Sequence, residues 1–344
     1  MKVVTGRGVT INPPNRFEKL HFEFNEEESG TIKTTYYQDH SASFITYNDS
    51  PDVCFTASIN PYRGCEHGCV YCYARPMHEY LGFSSGSDFE SRIMVKMKAP
   101  EILRRELNSP KWKPQSIALS GATDCYQPIE RYLQLTRQCL QVLANFRNPV
   151  GIITKSHLIT RDIDILQELT RYQAVSVNIS LTTLDSNLVR LLEPRAAFPE
   201  HRLNAITALA QAGIPVNVLM APIIPGLTDH EIPKLLEAAA AAGAKNASYV
   251  ILRLPHAVEN LFVDWLETHF PEKKNRILTQ LKAMRNGKLN DPTFHHRMTG
   301  DGPLADHISQ LFNLCVKRFN LDQPSARLST RAFRRSHAEQ LQLL

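Results

Sequence analysis

The stretch Asn60-Pro-Tyr-Arg-Gly-Cys65-Glu-His-Gly-Cys69-Val-Tyr-Cys72-Tyr-Ala-Arg75 places three of the chain's seven cysteines within eight positions. Thiolates spaced C-x3-C-x2-C converge from one tight loop, and Gly64 and Gly68 supply the permissive backbone that such wrapping needs. The other four cysteines, Cys54, Cys125, Cys139 and Cys315, are scattered. An odd count with one dense group points to a metal centre in a reducing compartment rather than to disulfides. Soft thiolates select zinc, copper(I) or iron–sulfur. A cluster of four irons held by protein alone normally takes four cysteines. Three local ligands without an evident fourth leave one iron open, and an open metal position suggests chemistry where a closed one suggests structure. The alternative is a zinc site completed by His67 or His78. Structural zinc usually arrives with a second spaced ligand pair, and this sequence has none.

Working outward, the loop follows the first of six short apolar runs, Val53–Ser58, Ser116–Ser120, Val150–Thr154, Val175–Leu181, Pro215–Ala221 and Ser248–Leu252. Their near-continuous apolar character reads as strands buried on both faces. Helical patterns lie between them over Ile129–Ala144, Ile163–Leu169, His201–Gln211 and Glu231–Ala242, the last two followed by Gly213 and Gly243 as C-caps. Strand–helix alternation with short links predicts a parallel sheet with right-handed crossovers. Six such units suit a doubly wound sheet as well as an incomplete barrel, and periodicity does not choose between them. Neither G-x-G-x-x-G after the first strand nor G-x-x-x-x-G-K-[ST] occurs, which disfavours nucleotide-phosphate folds. Residues 1–50 read as a largely irregular arm. Residues 256–344 read as a helical extension with helices over Val258–Phe270, Glu272–Arg285 and Ala305–Phe319.

The chain's 344 residues are 43% hydrophobic and 21% charged, which suits a folded globular protein and disfavours disorder. No apolar run of about 18 residues exists and the first residues lack a signal-peptide core, so a cytoplasmic, non-membrane protein is expected. The net charge is +5. The sharpest basic stretch, Arg327, Arg331, Arg334, Arg335 and His337, is usually no more than a solvated face.

Cys65-x3-Cys69-x-Tyr71-Cys72 after the first strand of a βα series resembles the signature of the radical S-adenosylmethionine (radical SAM) superfamily, Tyr71 being the aromatic before the last cysteine. The resemblance spans residues 51–255. It implies an α/β fold, a partial (βα)6 TIM-type barrel with parallel strands, flanked by the N-terminal arm (1–50) and the C-terminal helical extension (256–344). It also implies a [4Fe–4S] cluster on Cys65, Cys69 and Cys72, whose open iron binds S-adenosylmethionine. Reductive cleavage would then give methionine and a 5′-deoxyadenosyl radical that abstracts hydrogen; the cofactor carries that chemistry while the protein orients it. The resemblance further implies cofactor contacts at the strand-two turn, Gly121, Ala122, Thr123 and Asp124, where the family has a more glycine-rich stretch. Ser180 on strand four falls where family members contact the ribose, and Pro222 lies in the apolar segment under the adenine. Arg195 is offered to the methionine carboxylate, with an ion pair to Glu193 or Glu200 as its structural alternative. Lys155 ends strand three on the face where barrel active sites gather.

Within the superfamily, Asn60–Arg75, Thr123–Glu130 and Leu192–Arg195 resemble the spore-photoproduct-lyase-like branch, often labelled DNA repair photolyases. By that analogy Cys125 is a candidate hydrogen donor to a product radical, its alternative being an inert core thiol. A DNA lesion is one candidate substrate, with the C-terminal arginines as a rim for it. A small molecule, a peptide or RNA is another, since family membership does not fix a substrate. The absence of further cysteine motifs implies an external one-electron donor such as a flavodoxin or ferredoxin. A non-catalytic zinc-binding module is the reading from a different class.

Overall fold

A computed structural model describes residues 7–17, 32–324 and 327–335. Ten strands form in chain order: β1 (Thr35–Gln38), β2 (Thr46–Tyr47), β3 (Ala57–Ile59), β4 (Tyr62–Arg63), β5 (Arg92–Val95), β6 (Ile117–Leu119), β7 (Val150–Thr154), β8 (Val175–Ser180), β9 (Val216–Ile223) and β10 (Asn246–Ile251). The main sheet has the order β10-β9-β8-β7-β6-β3-β2. Six of its strands run parallel in strict chain succession, and β2 joins antiparallel at one edge. A doubly wound sheet reverses its strand order at a switch point. This one never reverses, so its right-handed crossovers put every connecting helix on the same side. The result is the predicted α/β partial barrel, with β2 and β10 unpaired to each other among the described residues.

That one-sided helix layer overturns the expectation of strands buried on both faces. The side chains that point toward the helices, among them Ile117, Leu119, Val150, Ile152, Val175, Val177, Ile179, Val216, Val218 and Met220, are all buried in the main core. There they meet Leu140, Leu143, Leu166, Leu169, Ile206, Leu209, Leu235 and Leu236 of the helices. Each such side chain contributes roughly 1.5–3 kcal/mol by leaving water. The alternate row, Ser58, Gly151, Ile153, Asn178, Leu219, Ala221 and Val250, is only half-buried, and Ser248 is exposed. A complete eight-stranded barrel fills this space with layers of branched side chains. Here the inner row mixes small and polar residues with Ile153, Leu219 and Val250 and lines an open concavity. A Cβ added at Gly151 would meet no atom within 4 Å. Gly151→Ala is therefore expected to raise stability by about 0.4–1 kcal/mol through the unfolded chain's lost freedom, read as a higher urea midpoint. A lower midpoint would mean that the concavity is filled at this height.

Two further differences have local causes. The first predicted strand begins only at Ala57, because the Asn48 side-chain amide bonds the Phe55 carbonyl (2.6 Å) and holds the preceding residues in a loop. The helix expected over Ile129–Ala144 is two helices, Glu130–Leu133 and Leu135–Phe146, broken at Gln134 in the left-handed region (φ 52°). Buried Glu130 explains the break. Its carboxylate accepts the Thr136 N–H (3.0 Å) at the start of the second helix, as well as Tyr62 Oη (2.5 Å) and Arg161 (2.8 Å).

The N-terminal arm is less irregular than expected. β1 pairs in parallel with β5, Thr35 opposite Arg92, and β5 pairs with β4, making a small second sheet beside the cysteine loop. Within the C-terminal segment, helices span Ala257–His269, Pro271–Ala283 and Pro303–Arg318. Beyond them the chain runs along the N-terminal ends of the parallel strands. Gln323 N–H bonds Lys245 O (3.2 Å), Ser329 N–H bonds Gln173 O (2.9 Å), and Arg334 N–H bonds Phe146 O (2.9 Å). Arg334 Nε bonds Asn145 O (2.9 Å) and Arg335 reaches Trp112 O (3.3 Å). Arg334 and Arg335 are thus tied to carbonyls at the end of the barrel opposite the cysteines. The expectation that these arginines rim the barrel mouth is corrected; His337 lies outside the described residues. No helix among the described residues is long and apolar enough to cross a membrane.

Candidate active site

The cysteine loop leaves β3 at the C-terminal end of the sheet. Gly64 (φ +77°) and Gly68 (φ +66°) both adopt the left-handed backbone that the sequence anticipated. At Gly64 a Cβ would also press on the carbonyls of Phe89 and Arg92 at 3.0 and 3.1 Å, so that position has neither conformational nor steric room. The loop is pinned from outside by Cys65 N–H to Phe89 O (2.9 Å) and Val70 N–H to Leu192 O (3.0 Å).

Its main organiser is Arg75, which the sequence reading quoted without assigning it a role. Arg75 is fully buried. Its guanidinium donates to Cys69 O (2.9 Å), Gly68 O (3.2 Å), Ser85 O (3.1 Å) and Gly86 O (3.0 Å), and pairs with the Glu90 carboxylate (2.5 Å). One planar fork thus fixes the loop's two central carbonyls and the next turn. The signal was present: a cation three residues after the last cysteine, inside the same turn.

Cys65 and Cys69 are buried and Cys72 nearly so, and all three are free thiols. Burial, then Asp124 and Cys72, pushes the Cys65 thiol up; burial and then Glu193 does the same for Cys69, whose thiol also feels Cys72 and Cys65. Three mutually repelling buried thiols are a poor resting arrangement for anions and a fitting one for a cationic centre, which deprotonates its thiol ligands outright. Among the described residues no three His, Cys, Asp or Glu side chains gather as the ligands of one metal ion. His67 turns Nδ1 to Asp124 (3.4 Å), and His78 stacks on Phe83 and meets Phe89 edge-on.

The turn after β6 closes against this loop. Ala122 packs beside Cys65 and Cys72, and the Gly121 carbonyl accepts Tyr73 Oη (2.6 Å). The two polar side chains of the turn are already engaged. Thr123 Oγ1 donates to Tyr62 O (2.7 Å), and Asp124 accepts Thr154 Oγ1 (2.7 Å) and the Lys155 N–H (2.8 Å). They hold the turn's shape. Ser180 ends the inner row of β8 and Pro222 lies in β9, so both belong to the same end of the sheet.

Tyr71 belongs to a buried polar network. Its hydroxyl donates to Glu193 and lies 3.3 Å from Thr182 Oγ1. Glu193 also pairs with fully buried Arg202 and with Lys155 Nζ (3.3 Å). Burial pushes the Glu193 carboxyl up, but Arg202 and Lys155 outweigh it and hold the group well below the usual carboxylate range. Lys155 Nζ further contacts the Ala221 carbonyl (3.3 Å) and stands 5.7 Å from the Tyr71 ring centroid. It sits close enough to Cys69 and Cys72 to favour their thiolates.

One expectation fails here. Arg195 pairs with neither Glu193 nor Glu200 but with Glu66, inside the cysteine loop (3.0 Å). Cys125 lies just past β6 and is fully buried, and burial pushes its thiol up, which keeps the S–H bond that a hydrogen-atom donor needs. Cys125→Ala is expected to cost about 1 kcal/mol, as core substitutions do, and to leave 5′-deoxyadenosine formation unchanged. A selective loss of product formation without a stability change would support the donor role, and unchanged turnover would end it.

A profile of the radical SAM superfamily matches residues 59–239, more than half of the chain, from the end of β3 into the helix after β9. The chain belongs to the radical SAM superfamily. An uncharacterized protein of Mycobacterium tuberculosis is 38% identical over 246 residues, covering 71% of this chain and 72% of that one. A protein of Pseudomonas phage M6 named radical SAM Nalpha-GlyT isomerase is 24% identical over 232 residues, covering 66% of this chain and 46% of the phage protein. Among solved structures, spore photoproduct lyase complexed with dinucleoside spore photoproduct superposes with a TM-score of 0.59 at 15% identity, covering 83% of this chain and 78% of that one. This last likeness is one of fold. Membership in the superfamily implies an enzyme with a [4Fe–4S] cluster, S-adenosylmethionine and an electron donor.

Proposed function

We propose that Cys65, Cys69 and Cys72 hold the [4Fe–4S] cluster, and that the chain cleaves S-adenosylmethionine reductively to act on an uncharged, hydrogen-bonding substrate group admitted to the open concavity. The observation that carries this reading is the Arg75-braced loop of three buried free thiols at the C-terminal end of a one-sided parallel sheet. When bound, the cluster and S-adenosylmethionine supply an electron and a 5′-deoxyadenosyl radical. The chain's own part is placement. Lys155, held by Glu193 and the Ala221 carbonyl, is the cation available to the anionic end of the cofactor, whereas Arg195 is committed to Glu66. Gly121 and Ala122 give close backbone approach, Tyr71 is locked under Lys155, and Ser180 and Pro222 lie at the strand ends beyond. Thr123 and Asp124 keep that turn in shape.

Deeper in the concavity, toward the N-terminal ends of β8 and β9, the inner row offers amides and a hydroxyl, with Asn217 Nδ2 donating to Ser176 Oγ (3.2 Å) and to Asn178 Oδ1 (3.4 Å). Such a lining suits a nucleobase or an amide better than a charged group. A base within DNA, a candidate raised by the likeness to a lyase complexed with a dinucleoside, would have to leave its stack to reach this depth; an amide of a peptide or small molecule would not. Anaerobic reconstitution with iron and sulfide, reduction by dithionite and quantification of 5′-deoxyadenosine test the reaction. Formation by the wild type and loss in Cys65→Ala, Cys69→Ala or Cys72→Ala are expected. One zinc per chain without labile sulfide, or no 5′-deoxyadenosine, would overturn the reading.

A further inference from the structure

We infer that the cavity behind His67 is the docking point for an acidic loop of a small one-electron carrier protein. This rests on the proposed radical chemistry, which consumes one electron per cleavage. A cavity of about 390 Å³ lies between the loops that follow β6, β7 and β8. Arg131, His157, Arg195 and His201 line it, with His67 at its inner wall and Ser156 at its side. No carboxylate lines it among the described residues. Carboxylates that touch lining residues are already engaged: Glu66 with Arg195, Asp124 with Thr154 and the Lys155 N–H, and Asp162 with Tyr126, Arg137 and Arg161.

The position is as telling as the charge. His67 lies between Cys65 and Cys69 in the cysteine loop and is almost fully buried, so the cavity floor is the loop itself. The open concavity that would receive substrate is built from other residues, the inner row of the strands. Two separate approaches to one centre let a carrier deliver its electron while substrate and cofactor are in place. The cavity is too small for a folded protein and large enough for a few side chains of a projecting loop. Arg131 makes no ion pair among the described residues, and the adjacent Tyr132 is 81% exposed. Arg and Tyr are the residue types that anchor protein interfaces. The unpaired charge of Arg131 steers an acidic partner and makes the encounter sensitive to salt. In the step itself the reduced carrier gives up one electron and the cluster gains it, with no bond made or broken in either protein. Duplex nucleic acid is the competing occupant. Its phosphates would seek a broad basic stripe rather than a pocket, and the strongest run of arginines is bonded to carbonyls at the far end of the sheet.

The test uses reconstituted full-length protein, a reduced flavodoxin as the carrier, and Arg131→Glu combined with His201→Glu. Both positions are on the surface, and neither is part of the cysteine loop or the Lys155 network. The double variant is expected to raise the flavodoxin concentration for half-maximal 5′-deoxyadenosine formation by roughly tenfold or more, and to flatten its salt dependence. Titration of oxidised flavodoxin, followed by calorimetry, should weaken in parallel without any turnover. Dithionite-driven cleavage should be unchanged. Equal flavodoxin dependence in variant and wild type would overturn the docking point, as would a variant that loses duplex DNA binding alone. A wild type that fails with dithionite would instead overturn the proposed chemistry, and the calorimetric titration would still decide the docking.

Discussion

Replacing Glu193 with alanine is expected to lower the stability of the protein by about 3–5 kcal/mol, because it strands a buried charge rather than because the ion pair is intrinsically strong. Arg202 is fully buried, and without Glu193 its guanidinium retains only the carbonyls of Ala197 (2.7 Å) and Ser180 (3.1 Å). Tyr71 Oη loses its carboxylate acceptor in the same step, Thr182 Oγ1 keeps only the Ala221 carbonyl (3.3 Å), and Lys155 loses the carboxylate 3.3 Å away. Since a domain of this kind is stable by only about 5–15 kcal/mol, the urea midpoint should fall by a large fraction, at unchanged slope. Glu193→Gln keeps the shape and the acceptor oxygen and should lie between the two.

The pH dependence gives an independent reading of the same network. Glu193 is held below the ordinary carboxylate range in the folded state, so its stabilising contribution is complete above the unfolded value of about 4.3 and drains as pH falls toward the folded one. The stability gap between wild type and Glu193→Ala should be constant above about pH 5 and narrow below about pH 4. A gap that stays level on acidification would mean that the carboxylate's charge contributes nothing and that the substitution acts by leaving a void.

How far the sequence foretold this arrangement depends on the range of the interactions involved. The cysteine loop was legible because its ligands and both of its strained glycines lie within nine positions. β7 appears with its expected bounds, and β8 and β9 within two residues of theirs. The open concavity was legible too, in the strict alternation of Val-Ser-Val-Asn-Ile-Ser over 175–180, but the runs were read for their apolar content instead of their period. The small sheet was not legible: β1 finds its partner β5 more than fifty residues away, and neither strand alternates clearly. The same holds for Arg195, whose carboxylate was sought among its neighbours Glu193 and Glu200 and is supplied by Glu66, 129 positions earlier. Cys125, just past a strand end, follows the Ser120–Asp124 turn, which Ser120 Oγ fastens by accepting the Cys125 N–H (2.6 Å) and donating to Thr123 O (2.7 Å); this local turn was not legible from the spacing alone.

Arg75→Met is expected to remove the metal centre and destabilise the fold together. Methionine fills a similar volume and offers no donor. The carbonyls of Gly68, Cys69, Ser85 and Gly86 then lose the guanidinium donor in a dry interior, Cys69 O keeping only the Cys72 N–H (3.3 Å). Glu90 keeps only the N–H groups of Arg7 (2.6 Å) and Gly8 (3.1 Å) for a charge that is otherwise buried. Leaving such a charge unpaired costs about 3–5 kcal/mol. Relief comes most cheaply by opening the loop that carries Cys65 and Cys69, since water can reach the carbonyls there, and opening it separates the thiols. Iron and sulfide per chain should fall to a small fraction of wild type after reconstitution, alongside a lower urea midpoint. Arg75→Lys separates charge from geometry: one ammonium can meet Glu90 but not carbonyls on two sides of a planar fork, so it should recover part of the stability and little of the iron. If Arg75→Met loaded iron and sulfide to the wild-type level, the cysteine loop would owe its shape to Gly64, Gly68 and its outer backbone bonds alone.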